Sequence, residues 1–286
     1  MLKKRMLMIG AALAGLLALQ LAPVYAQDGI SVDCDNGASF DNGVEIIVSQ
    51  MRAGFEYTAT AVGIDGFDPV IAVMGENGGL CNDDSSAASD YAADLPTTGR
   101  VRASNLSAQV NFTHNDRSGF QDISLVVGGL DSQEGEFILI LEGMAVTSED
   151  NGGDPFIVRL TEEMVDSGVP LTVYMMTRGQ SGVDPLLYLA DGDLDPIEDN
   201  DGNQIFCDDA GTDLCWSGGD SLNDYSVTIA TGTLPGWDYD AYLSLDISDF
   251  DLSNDPDDNL LPFVMTSYNR ESEGQYLLVF HVGIEG

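Results

Sequence analysis

The chain has 286 residues and a formal net charge of −38, set by 48 acidic against 10 basic side chains. So negative a surface repels nucleic acid and anionic lipid and attracts cations. Two readings of the acidity are open: specific divalent-metal sites, or a general adaptation to saline surroundings in which counter-ions screen self-repulsion.

In chain order, residues 1–26 read as a cleaved signal peptide. Lys3, Lys4 and Arg5 precede an apolar stretch from Met6 to Leu21, and Val24-Tyr25-Ala26 is a small-residue cleavage site. The stretch is short for a membrane span, no Cys follows the site, and no later segment is apolar enough to cross a bilayer. The expectation is therefore a secreted or extracellular protein, or a periplasmic one, without membrane insertion after the leader is removed. The remaining basic residues are all Arg. Four Cys in an exported chain suggest disulfides, and the pairing within halves, Cys34 with Cys81 and Cys207 with Cys215, is the one expected.

The first half, 27–149, carries alternating apolar residues at Phe55, Tyr57, Ala59 and Ala61, a period of two that predicts a strand with one buried face. Asp68-Pro69 follows, then the apolar run Val70 to Met74 and the acidic turn Cys81-Asn82-Asp83-Asp84. Ser85 to Leu95 has room for a short helical turn, and Ala108, Val110 and Phe112 alternate again. Phe137 to Leu141 is continuously apolar, as a central strand covered on both sides would be. A polar break from Ser148 to Asp154 marks the boundary.

The second half, 150–286, repeats the plan. Leu171, Val173 and Met175 alternate, Asp184-Pro185 precedes Leu186 to Leu189, Cys207-Asp208-Asp209 follows, and Tyr276 to Val282 closes. Thr161 to Ser167 again has room for a short helical turn. Asp68 lies eleven residues after Tyr57, and Asp184 eleven after Val173. The repeated order signals duplication. The fold expected is all-β: two tandem antiparallel β-sandwiches packed through a modest interface, with Asp68 equivalent to Asp184 and Phe137 to Tyr276.

This pattern resembles the bacterial pre-peptidase C-terminal domain, on the strength of Asp68-Pro69, Asn82-Asp83-Asp84, Gly135-Glu136-Phe137, Asp184-Pro185, Asp208-Asp209 and Gly274-Gln275-Tyr276. Two departures stand out: no peptidase precedes the modules, and Cys207 stands near the place of the family's Asn. The resemblance implies a jelly-roll-like, non-catalytic accessory module of secreted proteins, sometimes linked to calcium.

Candidate chemistry lies in the acids. Asp68 with Asp83 and Asp84, and Asp184 with Asp208 and Asp209, can converge if the intervening strands form a hairpin, and calcium takes about six to eight oxygens at roughly 2.3–2.6 Å. A second candidate is the loop containing Asp191, Asp193, Asp195, Asp199 and Asp201, where alternate carboxylates suit a hard cation although no EF-hand pattern is met. Asp249 to Asp258 is a similar cluster. The bland alternatives are turn-capping Asp and solvated acidic loops. His114 and His281 continue apolar strands and are read as structural, and no nucleophile or zinc spacing accompanies them. Trp216, Trp237, Tyr239 and Tyr242 form either a sugar-stacking surface or core packing. The function expected is non-enzymatic: calcium-dependent extracellular interaction or adhesion, with a polysaccharide, a protein or another copy of the chain as partner. The alternatives are an envelope or matrix component bridged by cations and, third, a carboxylate-based hydrolase.

Overall fold

The computed structural model describes residues 29–285 apart from 53, 76–77, 114–119, 147–153, 179–182, 217–218 and 269–271. The leader, the boundary at 149/150 and His114 lie outside the described residues.

The first half contributes β1 (Ile30–Asp33), β2 (Ser39–Arg52), β3 (Glu56–Gly63), β4 (Pro69–Gly75), β5 (Gly78–Asn82), β6 (Ala92–Leu95), β7 (Gly99–Arg102), β8 (Ala108–Thr113), β9 (Phe120–Gly129) and β10 (Gly135–Val146). The second contributes β11 (Asp154–Arg159), β12 (Leu171–Thr177), β13 (Pro185–Leu189), β14 (Phe206–Cys207), β15 (Ser226–Ile229), β16 (Gly232–Pro235), β17 (Ala241–Leu245), β18 (Leu260–Ser267) and β19 (Gly274–Ile284). The strand alternation seen in the sequence thus becomes an all-β structure. Its α-helix among the described residues is α1 (Glu162–Asp166), started by the Thr161 hydroxyl, which accepts the Met164 N–H. The turn expected after Ser85 is a 3₁₀ helix, Ser86–Asp90.

Three sheets form. The first runs β14-β13-β18-β11-β2-β9-β4-β5 with β1 alongside β2, the second β17-β12-β19-β10-β3-β8, and the third β16-β15-β6-β7. Apart from β1, which has no counterpart, exchanging each strand for its equivalent in the other half reverses each of these orders, a pseudo-twofold arrangement. The axis passes through three antiparallel seams, β2 with β11, β10 with β19 and β6 with β15. In the first seam Ile47 pairs with Ile157, two residues that the repeat makes equivalent.

Here the structure departs from the expected modest interface. Both main sheets run unbroken from one half into the other, which gives each half's seam strands a partner and leaves no free edge there. Across the first seam Arg159 lies opposite Glu45 in register and pairs with it at 2.8 Å, both side chains largely buried.

The second sheet is the middle layer. Phe137 to Leu141 and Tyr276 to Phe280 are buried without a break, because residues of alternate phase face the first sheet on one side and the small third sheet on the other. Phe156 of β11 stacks on Phe263 at 4.9 Å and meets Phe280 of β19 edge-on at 5.2 Å, which ties the two main layers together beside the axis. Disulfides join Cys34 to Cys81 and Cys207 to Cys215, the within-half pairing expected.

Candidate metal centre

The two Asp-Pro motifs are held in the same way. The Asp68 carbonyl accepts the Leu130 N–H at 2.8 Å, and the Asp68 N–H donates to Gln133 Oε1 at 2.7 Å. The Asp184 carbonyl accepts the Tyr268 N–H at 2.8 Å, and the Asp184 N–H donates to Ser272 Oγ at 3.0 Å. Backbone groups on both sides are thus spent, while Oδ1 of each carboxylate is shut away from solvent with no hydrogen-bond partner among the described residues. A turn-capping Asp would spend that oxygen on a backbone N–H; neither does.

Strand register delivers the acidic pairs to these carboxylates. β4 pairs Ala72 with Cys81 and Ile71 with Asn82, whereas β13 pairs Tyr188 with Phe206 and Leu187 with Cys207. Carried on in register, Asp83 and Asp84 fall opposite Val70 and Pro69, and Asp208 and Asp209 opposite Leu186 and Pro185. These are the same two positions after the clamped Asp in each half. Asn82 and Cys207 therefore occupy equivalent places.

In the second half the carboxylate oxygens of Asp184, Asp208 and Asp209 all lie within 4.8 Å of one another. Asp208 sits at the base, 5% exposed, and its Oδ1 also lacks a partner among the described residues. Burial, then Asp209 and Asp184, push its pKa up to about 6. Asp184 is raised by burial and by Asp209, and Asp209 by burial and by Asp238. Asp238, which the sequence reading missed, is held by Ser221 and Asn223. In the first half Asp68 is raised by burial, then by Asp84 and Asp83. There Asp83 accepts the Asn36 amide at 3.3 Å and the Asp84 N–H at 2.7 Å, so part of its charge is already met.

The other predicted acids are placed differently. Asp191 Oδ1 accepts the N–H groups of Asp193 and Asp195 at 2.9 and 3.0 Å. Asp199 Oδ1 accepts those of Asp201 and Asn203, both at 2.9 Å. The two stretches are one tight turn built twice, and the carboxylates of Asp193, Asp195 and Asp201 stand exposed without gathering into a three-carboxylate group among the described residues. Trp216 Nε1 donates to Asp199 Oδ2 at 2.8 Å, and this bond with the backbone donors holds Asp199 down at about 2. In the 249–258 stretch Asp255 caps a 3₁₀ turn, and Asp257 meets Arg159 at 3.2 Å.

His281 is buried between Glu136, at 2.9 Å from Nε2, and Thr97, at 3.1 Å from Nδ1, and burial keeps its pKa low. Tyr242 belongs to the core, stacked on Tyr174 at 5.2 Å, whereas Trp216, Trp237 and Tyr239 are exposed. Sequence reading also passed over Asp240. Fully buried, it accepts the backbone N–H of Thr177 and of Trp237 at 2.7 and 2.9 Å, and its pKa is pushed up by burial to about 6.

No protein-family model and no curated protein matches the chain. Among solved structures, a chain titled BspA_C_WT is 10% identical over 90% of this chain and 91% of its own, with a TM-score of 0.17. A second, titled BspA_C_mut, is 10% identical over 80% and 76%, with a TM-score of 0.15. Likeness at that level bears on neither fold nor function.

Proposed function

We propose that this is an exported, non-enzymatic β-sandwich protein that binds calcium at Asp184, Asp208 and Asp209 and acts in extracellular interaction. The observation that carries the reading is Asp208: a nearly buried carboxylate, unpartnered at Oδ1 among the described residues, with two further carboxylates against it. Like charges gathered away from water raise the energy of the ionised site, and a small cation that sheds its own water relieves both burial and repulsion. An all-oxygen donor set suits calcium or magnesium rather than zinc or copper, and irregular spacing on strand ends favours the more tolerant calcium. Asp68, Asp83 and Asp84 hold the equivalent chain positions but do not gather into a three-carboxylate group among the described residues, and we read them as a weaker second site, with Asn36 already serving Asp83. Two disulfides suit an oxidising compartment outside the cytosol. Among the described residues no helix is long and apolar enough to cross a membrane. The repeated Asp-Pro and acidic-pair order supports reading the halves as two copies of a module that resembles the pre-peptidase C-terminal domain.

Thermal melts test the reading. A ligand bound only by the folded state stabilises it by RT ln(1 + [L]/Kd), about 2.7 kcal/mol at a hundredfold excess over Kd. Millimolar calcium should raise the unfolding temperature above that in chelator by several degrees, more than magnesium does, and Asp208→Asn should abolish most of the gain. An equal gain from sodium chloride alone, untouched by Asp208→Asn, would mean that the acids are merely screened.

A further inference from the structure

We infer that the Asp184–Asp208–Asp209 centre, once it holds its cation, binds a neutral glycan whose hydroxyls complete the ion's coordination and whose sugar rings stack on exposed aromatic side chains around it. The inference rests on the cation reading above and goes on to name the ligand class.

The first argument is one of coordination. One oxygen from each of three carboxylates supplies three ligands where calcium takes about six to eight. Asp208 closes the base, while Asp184 and Asp209 are only partly buried, so the open positions lie on the solvent side. Water fills them in the free protein, and vicinal hydroxyls of a sugar replace two waters with one rigid donor pair.

The second argument is independent of the acids. Both tryptophans of the chain are exposed, at 37% for Trp216 and 43% for Trp237, and each belongs to a segment that meets the one carrying Asp208 and Asp209. Trp216 lies on the segment that bonds back to the stretch leading into Asp208: its N–H donates to the Phe206 carbonyl, and the Asp208 N–H to that of Leu214. Trp237 directly precedes Asp238, the residue whose charge acts on Asp209. Tyr268, 48% exposed, gives its N–H to the Asp184 carbonyl. In the first half the equivalent of Tyr268 is Leu130, and no tryptophan is present.

The Trp216 ring and the Trp237 backbone are pre-positioned. The Trp216 indole N–H is tied to Asp199, which fixes the ring edge. The backbone of Trp237 is clamped by Asp240, which Thr177 holds in turn. An exposed aromatic face held in this way, at little further ordering cost, suits the flat C–H face of a pyranose. Charge selects among glycans: at a net −38 the chain repels polyuronates and sulfated chains, which leaves neutral sugars. A basic peptide is disfavoured, because a desolvated carboxylate at the base of the cluster takes a small bare ion more readily than an ammonium on a flexible stem.

The test has two arms. Terbium, a calcium surrogate, is titrated in with excitation through the indoles. The protein is then passed over an array of neutral oligosaccharides in calcium and in chelator. Sensitised terbium emission is expected in the wild type and a several-fold loss in Trp216→Ala and Trp237→Ala, with the calcium-induced rise in unfolding temperature retained. Array binding is expected only in calcium, about tenfold or more weaker for each Trp variant, the scale of losing one anchoring aromatic. A retained calcium response with no calcium-dependent binding to any neutral glycan would overturn the inference and leave the cation reading standing. Absence of both terbium emission and the calcium response would overturn the two together. Glycan binding unchanged by chelator, or capture of a polylysine peptide in chelator instead, would also overturn it.

Discussion

At the scale of single residues the structure separates two uses of Asp. Asp191, Asp199 and Asp255 spend oxygens on backbone N–H groups two to four residues on and so shape turns. Asp208 spends its buried Oδ1 on none of the described residues. A consequence is a pH dependence with a definite sign. The folded pKa of Asp208 is raised to about 6, so the folded state holds its proton more tightly than the unfolded chain does. The stability this contributes is full below the unfolded value of about 4 and is lost as pH rises through 6. Asp240, raised to about 6 as well, acts in the same direction. His281, whose pKa is lowered, acts in the opposite one, withdrawing stability as pH falls below its unfolded value near 6.5. Urea midpoints in chelator, compared between wild type and Asp208→Asn, isolate one group. The variant should be the more stable of the two at pH 7 and should lose that advantage by pH 4.5. A constant difference across the range would show that Asp208 is solvated in solution.

At the scale of elements, each half builds its acidic cluster from one hairpin and one staple. The Cys207–Cys215 bridge closes the short segment that carries Asp208 and Asp209, whereas Cys34–Cys81 ties β5 to the chain after β1. Opening the short loop by Cys207→Ser with Cys215→Ser should cost about 2–3 kcal/mol and should also loosen Asp208. The calcium-induced gain in unfolding temperature should therefore fall much more in that pair than in Cys34→Ser with Cys81→Ser. Equal losses would make the bridge a general staple with no bearing on the site. Much of this was legible in the sequence. The period of two gave away the strands, the Asp-Pro and acidic-pair order marked equivalent positions, and proximity within a repeat indicated the disulfides. The turns at Asp191 and Asp199 were not separable in advance from ligand loops, since D-x-D spacing serves both an Asx turn and a hard cation. Asp238 and Asp240 lay in a stretch that drew notice only for its aromatic residues Trp237 and Tyr239, and only folding brings them to Asp209 and Thr177.

At the scale of the whole molecule the seams matter most, and they were the least legible feature. Two sheets joining edge to edge do so through backbone hydrogen bonds, which any non-proline residue makes, so the fusion of β10 with β19 leaves no charge-pair signature and that of β2 with β11 only the Glu45–Arg159 pair, whose partners nothing in the sequence links. The apolar character of β10 and β19 did announce cover on both faces, but not which strand would lie beside them. With the core continuous across the axis, calorimetry should show one cooperative transition whose van't Hoff and calorimetric enthalpies agree, and two resolved transitions would return the halves to independence. The central claim is the cation, and calorimetric titration of calcium into the chelator-stripped protein at pH 6, in two buffers of different ionisation enthalpy, tests it most directly. The expected result is saturable binding with net release of protons, because the ion displaces those shared by Asp208 and its neighbours, and loss of that binding in Asp208→Asn. A variant that titrates like the wild type, or a wild type that takes up no calcium, would contradict the account.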